Sequence, residues 1–325
     1  MKVSLKDIAS KLGVSPAVVS LVLNGKEKEG RINAVTAEKI RALAKELNYT
    51  PNRFATGLRK GKSNIIGLIV ADISNPFFAK LARYIEDEAE RYNYKIIIGS
   101  SDENTGKLES LVDIMNTYHV DGFIVVPTED SQSKLQQLSS EKTPLVLVDR
   151  YFAETYSDTV LIDNEATALR ATDYLIKKGC KRIALFTYLS EMLHFLDRLH
   201  GYRQALENAS LNHENDDLFF IRYTNISEDI REGIEKLMKR PDYDGILFTT
   251  DTLALTAIRQ FRKAGIDPGL QYKIFSFDAN DSFDFLNFDI PHFAQPLQEM
   301  GKAAVTCLIG QIENGFSERP KKIIL

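Results

Sequence analysis

The chain has 325 residues, 44% hydrophobic and 26% charged, which excludes a disordered polymer and allows two or three compact units. No apolar run approaches the roughly 18–20 residues that span a bilayer, and the start MKVSLKDIAS lacks the apolar stretch of a signal peptide. A cytoplasmic protein with no membrane partner is therefore expected, and its two distant cysteines, Cys180 and Cys307, are expected to be free thiols rather than metal ligands.

The net charge of −4 hides an asymmetry, because residues 1–62 hold 13 Lys/Arg against 5 Asp/Glu and the remainder holds 28 against 40. A basic segment ahead of an acidic body points to a polyanion bound at the amino-terminal end. Within that segment Ser4-x-x-Asp7 reads as a capping box, Leu5, Ile8, Ala9 and Leu12 recur at helical spacing, and Gly13 ends the helix. Ser15 is a good N-cap and Pro16 fits the first helical position, so a second helix is predicted from Pro16 to about Leu23, closed by Asn24-Gly25. A third is predicted to begin near Thr36, with Ile40, Leu43, Ala44 and Leu47 on one face. Two short helices joined by a glycine-containing turn form a helix-turn-helix, whose second helix enters the major groove of DNA. Gly57, Gly61, Lys62 and Ser63 imitate a phosphate-binding loop, but three residues separate the glycines where four are required, and a strand follows where a helix should.

From residue 65 the chain alternates apolar runs with amphipathic stretches. The runs are 65–70, 95–99, 122–126, 145–148, 182–186, 245–248 and 273–277. Such alternation indicates parallel sheets with helical crossovers, and more than ten strands fit two α/β lobes better than one sheet. Ligands of such folds bind at the carboxyl ends of the strands. Polar and aromatic residues follow the predicted strands there: Asp72 to Phe78, Asp149-Arg150, Thr250-Asp251, Asp278 and, after Pro291, Gln295, with Arg198 in an R-x-x-G-Y context. Aromatic faces with carboxylate, amide and guanidinium groups are what a sugar needs. Asp72 reads equally as a turn residue, Phe78 equally as core, and Asp251 more readily as a helix N-cap. The five histidines (119, 194, 200, 213 and 292) are scattered and read as surface or satisfied-core residues. No nucleophile elbow, no dinucleotide fingerprint and no H-E-x-x-H is present, so no enzyme is expected, and no metal or cofactor.

The segments LKDIASKLGVSPAVVSLVLNG and TAEKIRALAKELNYTPNRFATGLRKGKSNIIGLIVADISNPFF closely resemble the LacI/GalR family of bacterial transcription regulators, and the resemblance runs in order through the whole chain. It implies an all-α helix-turn-helix headpiece followed by an α/β two-lobed, periplasmic-binding-protein-like domain with parallel sheets, similar to ribose-binding relatives. The expected divisions are 1–50 for the headpiece, 51–62 for a hinge helix and 63–325 for the effector and dimerisation domain, with lobes of 63–162 plus 293–325 and 163–292. DNA contacts are expected from Ser15, Pro16, Ala17, Ser20, Leu21 and Asn24, and from Asn52, Arg53, Ala55 and Leu58 of the hinge, where Leu58 matches a leucine wedged into the minor groove. Gly57 costs a helix about 1 kcal/mol, so that hinge is expected to order on DNA. Effector contacts are expected from Asn75, Phe77, Phe78, Asp149, Arg150, Arg198, Thr250, Asp278 and Gln295. Among these, Phe77 would stack on a sugar, Arg198 and Asp278 would pair its hydroxyls, and Asp149 with Arg150 would serve the opposite lobe.

Two departures from the family pattern matter. Leu21 stands where many members carry a polar base reader, and Thr250 where many carry an amide. The recognition helix thus offers thymine-methyl contacts and few bidentate hydrogen bonds, which predicts an unusual, A·T-richer half-site. The expected function is a repressor binding near-palindromic double-stranded operator DNA as a homodimer, with affinity controlled by a small-molecule effector. A sugar is preferred for it, a pentose or other unmodified monosaccharide above all. A periplasmic sugar carrier would leave the basic headpiece without purpose, and so would an α/β enzyme acting on a sugar.

Overall fold

A computed structural model describes residues 3–49, 62–154, 157–211, 214–316 and 319–325. It divides into two compact units, Met1–Ser63 and Asn64–Leu325. Asn52, Arg53, Ala55 and Leu58, the expected hinge contacts, lie outside the described residues.

In the first unit, helices Leu5–Leu12, Pro16–Leu23 and Ala34–Glu46 enclose a small core of Ile8, Ala9, Val19, Val22, Ala37, Ile40 and Ala44. Ser4 and Asp7 form the reciprocal capping box, and Gly13 takes the left-handed conformation (φ 64°) that releases the chain into the turn. Ser15 caps the second helix through a bond from the Val18 N–H, with Pro16 at its first position. The third helix starts two residues earlier than Thr36, because Asn33 is its N-cap and accepts from the Val35 N–H at 2.8 Å. That asparagine, rather than the first apolar-periodic residue, sets the boundary.

The second unit contains two parallel sheets among the described residues. We number strands in chain order: β1 Ile65–Val70, β2 Lys95–Ser100, β3 Gly122–Val125, β4 Leu145–Val148, β5 Asp158–Leu161, β6 Ile183–Tyr188, β7 Leu218–Ile221, β8 Gly245–Phe248, β9 Lys273–Asp278, β10 His292–Phe293 and β11 Lys322–Ile324. The first sheet runs β11-β5-β4-β3-β1-β2 and the second β10-β9-β8-β6-β7, with every pairing parallel. Both orders turn back beside the strand that opens the sheet, and such switch points leave a crevice beyond the strand ends. Each sheet carries an apolar layer on both faces, for example Leu81, Ile85 and Leu308 against one face of the first and Val112 and Met115 against the other. Burial on both faces explains why β1, β3, β4 and β8 are continuous apolar runs. Strands β5, β7, β10 and β11 lie outside the apolar runs that mark the other strands. They are two to four residues long, and all but β5 lie at sheet edges with exposed or partly exposed residues. No described helix is long and apolar enough to cross a membrane.

The R-x-x-G-Y segment belongs to the helix Leu193–Asn208, which packs against the helix Asn164–Lys177. A Cβ on Gly201 would collide with the Glu165 carbonyl oxygen, so only glycine permits this approach. Tyr202, fully buried, donates its hydroxyl to the Ile183 carbonyl at 2.7 Å and ties the helix to β6. One turn earlier, Arg198 points to the ends of the strands. We expect Gly201→Ala to destabilise the protein by about 2–4 kcal/mol, read as a lower urea midpoint at unchanged slope, because backbone must move to admit the methyl group.

Candidate functional site: a buried polar cleft between two sheets

Beyond the carboxyl ends of the strands lies a cavity of about 110 Å³. All nine expected effector residues line it: Asn75, Phe77, Phe78, Asp149, Arg150, Arg198, Thr250, Asp278 and Gln295. Each is placed by a local device. Asn75 caps the helix Pro76–Arg91, accepting from the Phe77 N–H at 2.8 Å, while its Nδ2 donates to Thr252 Oγ1 at 3.3 Å from the other sheet's side. Thr250 caps the helix Asp251–Lys263, so the N-cap is Thr250 and not Asp251, which is the first helical residue. The Asp251 carboxylate instead accepts from Asn280 Nδ2 at 2.6 Å. Asp72 makes a turn, accepting from the backbone and hydroxyl of Ser74, and also lies on the cavity wall. Phe78 is both core and wall: it belongs to the first sheet's apolar cluster and lies edge-on to Phe77.

Asp149 and Arg150 follow β4 through a tight turn. Asp149 has φ 70°, and the Arg150 N–H donates back to the Val148 carbonyl at 2.8 Å, the two-residue step of a γ-turn. A non-glycine residue held there stores strain, which native structures retain chiefly at functional positions.

Two guanidiniums dominate the electrostatics. Arg198, 3% exposed, donates through Nε to Asn164 Oδ1 at 2.9 Å and through Nη1 to the Thr249 carbonyl at 2.6 Å. Its plane sits 3.7 Å from the centre of the Phe277 ring. Arg150 donates both terminal nitrogens to Glu103, at 2.6 and 2.7 Å. Burial raises Asp149 above the ordinary carboxylate range, against the pull of Arg150 and Arg198. Burial likewise pushes Asp278 up to about 7, with Arg198 opposing, although Gln295 Nε2 donates to it at 2.6 Å.

Several wall residues were not singled out in the sequence: Glu103, Tyr188, His194, Phe195 and Tyr223. Tyr188 and Tyr223 stack face to face at 4.0 Å. His194 corrects the reading of the histidines as surface or satisfied-core residues, since it is 2% exposed and its Nδ1 has no partner. Burial, with the adjacent Arg150 and Arg198, holds its imidazole well below the usual range and hence neutral. Spacing could have found it, because His194 and Arg198 are four residues apart on one helical face. Glu103 and Tyr188 stand at or just after β2 and β6, so the strand-end rule that selected the others also reaches them.

Three of the four buried side-chain polar atoms without a hydrogen-bond partner, among the described residues, belong to this wall: Arg150 Nε, His194 Nδ1 and Gln295 Oε1. Buried polar atoms are rarely left unpaired, and three around one cavity make it the candidate ligand site. A larger groove of about 650 Å³ beside β7, with Leu189 and Phe220 on its wall, is open, and no such unpaired atom lines it. Among the described residues no cluster of three or more His, Cys, Asp or Glu is placed to hold a metal ion.

In the first unit, Ser15, Pro16, Ala17 and Asn24 are exposed on or beside the second helix, and Ser20 and Leu21 are half-buried. Asn24 Nδ2 is turned back onto the Ser20 carbonyl at 2.7 Å, and Leu21 packs against Gly30, where a Cβ would come within 2.8 Å of its Cδ1. The exposed face of this helix thus offers small and apolar groups.

The raised Asp278 has a consequence for stability. In the unfolded chain it titrates near 3.8 and in the folded one near 7, so folding favours its protonated form. Its favourable contribution is complete below the unfolded value and is lost as pH rises through the folded one. The stability advantage of ligand-free Asp278→Asn over the native protein should therefore widen, by about 1–3 kcal/mol between roughly pH 5.5 and 8.5, in urea titrations. A constant gap would show that Asp278 is ionised throughout.

Comparison with known proteins agrees with this architecture. Residues 4–52 match the model of bacterial regulatory proteins of the lacI family, and residues 63–324 match that of periplasmic binding proteins and the sugar binding domain of the LacI family. The HTH-type transcriptional regulator DegA of Bacillus subtilis is 30% identical, over 100% of this chain and 96% of its own length. A LacI family transcriptional regulator from Enterococcus faecium, solved with bound ribose, is 26% identical, with a TM-score of 0.70 over 80% of this chain and 94% of that one. The lac repressor dimer bound to operator and an anti-inducer shares the fold, with a TM-score of 0.82 and 19% identity over 100% of this chain and 97% of that one. Because this is a family of regulators, the sugar-carrier and enzyme readings fall away. With a capped helix-turn-helix at one end, a polar cleft between two parallel sheets, and family matches over both, the chain belongs to the LacI family of transcriptional regulators, built from a LacI-type DNA-binding domain and a sugar-binding effector domain.

Proposed function

We propose that this regulator is a cytoplasmic repressor that binds a near-palindromic operator as a homodimer and is controlled by a sugar held in the cleft. The three unpaired polar atoms around one cavity carry the effector assignment. Arg198, Asp278 and Gln295 would pair the sugar hydroxyls from one side and Asp149 with Arg150 from the other, with Phe77 against its apolar face. The bound ribose of the Enterococcus faecium relative supports a monosaccharide. The cavity is smaller than the roughly 300–1,000 Å³ of common ligand sites, so entry requires the two sheets to part. Contacts that bridge them, Asn75 to Thr252, Lys80 to Asp281 and Tyr151 to Asp197, would rearrange as they do. A ligand preferring one arrangement shifts operator affinity by its differential binding to the two.

For the domains we propose 1–50 as the DNA-binding headpiece, 51–62 as hinge, and 63–325 as effector domain with lobes of 63–162 plus 293–325 and 163–292. Ser15, Pro16, Ala17, Ser20, Leu21 and Asn24 would face the major groove and its phosphates, and Asn52, Arg53, Ala55 and Leu58 the minor groove.

A thermal-shift screen of mono- and disaccharides should identify the effector. With that sugar, Arg198→Ala should lose about 100-fold or more in effector affinity, since it removes charged hydrogen bonds from a buried site. Leu58→Gly should weaken operator binding by about 10-fold or more while the sugar affinity holds. If Arg198→Ala bound the effector as tightly as the native protein, the cleft assignment would be wrong. Selection from random DNA should return an A·T-richer half-site than the common family one, because the second helix presents Pro16, Ala17 and Leu21. Recovery of the common half-site would refute that expectation.

A further inference from the structure

Resting on the cleft being the effector site, we propose that Glu103 restricts it to uncharged, hydroxyl-bearing ligands and turns away phosphorylated or carboxylated sugars. Arginine recognises an anion with its terminal fork, two parallel N–H groups on two oxygens. In Arg150 that fork is already filled by the Glu103 carboxylate, at 2.6 and 2.7 Å, and Nη1 also donates to the Pro127 carbonyl at 3.3 Å. The other cation, Arg198, spends Nε and Nη1 on Asn164 and Thr249 and its face on Phe277. Neither guanidinium presents its terminal fork wholly open to an anion.

The charge count points the same way. Even with Asp149 and Asp278 raised toward their neutral forms, the carboxylates of Asp72 and Glu103 match the two guanidiniums, and among the described residues the one other basic group on the wall, His194, is neutral. A phosphate carries roughly two negative charges and only accepts hydrogen bonds. Bringing it against this wall would set it beside Glu103 in a place water does not screen well. The unpaired atoms, by contrast, suit hydroxyls. Arg150 Nε can only donate, Gln295 Oε1 can only accept, and His194 Nδ1 does either according to its tautomer. A hydroxyl serves all three, whereas a phosphate dianion cannot satisfy Gln295 Oε1.

The backbone is bent to deliver this carboxylate. Asp102 and Glu103 have φ of 51° and 55°, two consecutive non-glycine residues in the left-handed region, held by the Glu103 N–H on the Ala71 carbonyl and the Asn104 N–H on that of Ser101. The partner on the other side, Arg150, leaves the strained turn at Asp149. Two strained turns facing each other through one ion pair are the mark of a required contact rather than an incidental one.

The test is calorimetric titration of the native protein, Glu103→Gln and Glu103→Asp with D-ribose, D-glucose, ribose 5-phosphate and glucose 6-phosphate. The native protein should bind a neutral sugar at least about 10-fold tighter than its phosphate. In Glu103→Gln that ratio should fall by about 10-fold or invert, and in Glu103→Asp, which keeps the charge, it should persist. A native protein that favours the phosphate, or a ratio that Glu103→Gln leaves unchanged, overturns the proposal while the effector cleft stands. The cleft reading itself is overturned separately, if Arg198→Ala binds the neutral sugar as tightly as the native protein does, and this proposal falls with it. Should Glu103→Gln not fold, the native ratio decides alone, and a phosphate bound as tightly as its neutral sugar is the overturning result.

Discussion

The buried guanidinium of Arg198 is the constraint around which the effector domain is arranged. A cation 3% exposed is costly unless its donors are met, and no carboxylate meets them directly. Asn164 supplies one oxygen from the start of one helix, Thr249 a carbonyl just after β8, and Phe277 an aromatic face from β9. Each of these groups is usable only if the helix Leu193–Asn208 lies where Gly201 lets it lie, against Glu165, with Tyr202 tied to β6. The glycine, the tyrosine and the arginine of one short motif therefore do one job. They fix a charge at the end of a sheet and leave its remaining edge toward the cleft.

That charge in turn explains the unusual state of its neighbours. Burial, with two guanidiniums alongside, holds His194 neutral, and the carboxyls of Asp149 and Asp278 are balanced between desolvation, which raises them, and the arginines, which lower them. A site poised this way responds strongly to any added hydrogen-bond partner, because unmet groups in low dielectric are expensive and met ones are worth more than in water. On the proposed effector assignment, the groups a ligand completes come from both sheets, so completing them would favour the arrangement in which both are present.

Much of this was legible in the chain. The long strands appear as apolar runs because both their faces are covered, and the headpiece helices appear through their caps, Ser4, Ser15 and Gly13. The cleft residues are marked by the family resemblance, most of them also by position after strand ends and Arg198 by its R-x-x-G-Y context, and the cavity gathers all nine. What was missed has physical causes. The short strands β7, β10 and β11 lie at sheet edges and lack the two-sided burial that makes a run readable. A single histidine carries no signal of its own, and His194 is marked only by its four-residue relation to Arg198 on one helical face. Tyr223 lies in a short 3-10 turn after an edge strand, where no periodicity marks it. Glu103 sits in a left-handed loop whose conformation cannot be read from Ser101-Asp102-Glu103-Asn104, because neither residue that adopts it is glycine.

That absence of glycine is itself informative. At Gly13 the chain needs only a change of direction, and the residue without a side chain makes it at no steric cost. At Asp102, Glu103 and Asp149 the same backbone region is occupied by residues that pay for it in strain, while the oxygens of Glu103 and Asp149 reach the cleft. A turn that could be relaxed by glycine but is not must be retained for its side chain, and both side chains meet at Arg150: Glu103 in its fork and Asp149 at 3.6 Å from its Nε. The strained turns thus deliver both acids to one guanidinium, and they fix which of its nitrogens stays open. With Nη1 engaged twice and Nη2 held by Glu103, Nε is the nitrogen without a hydrogen bond, flanked by two acids, and this geometry suits an uncharged oxygen better than an anionic one.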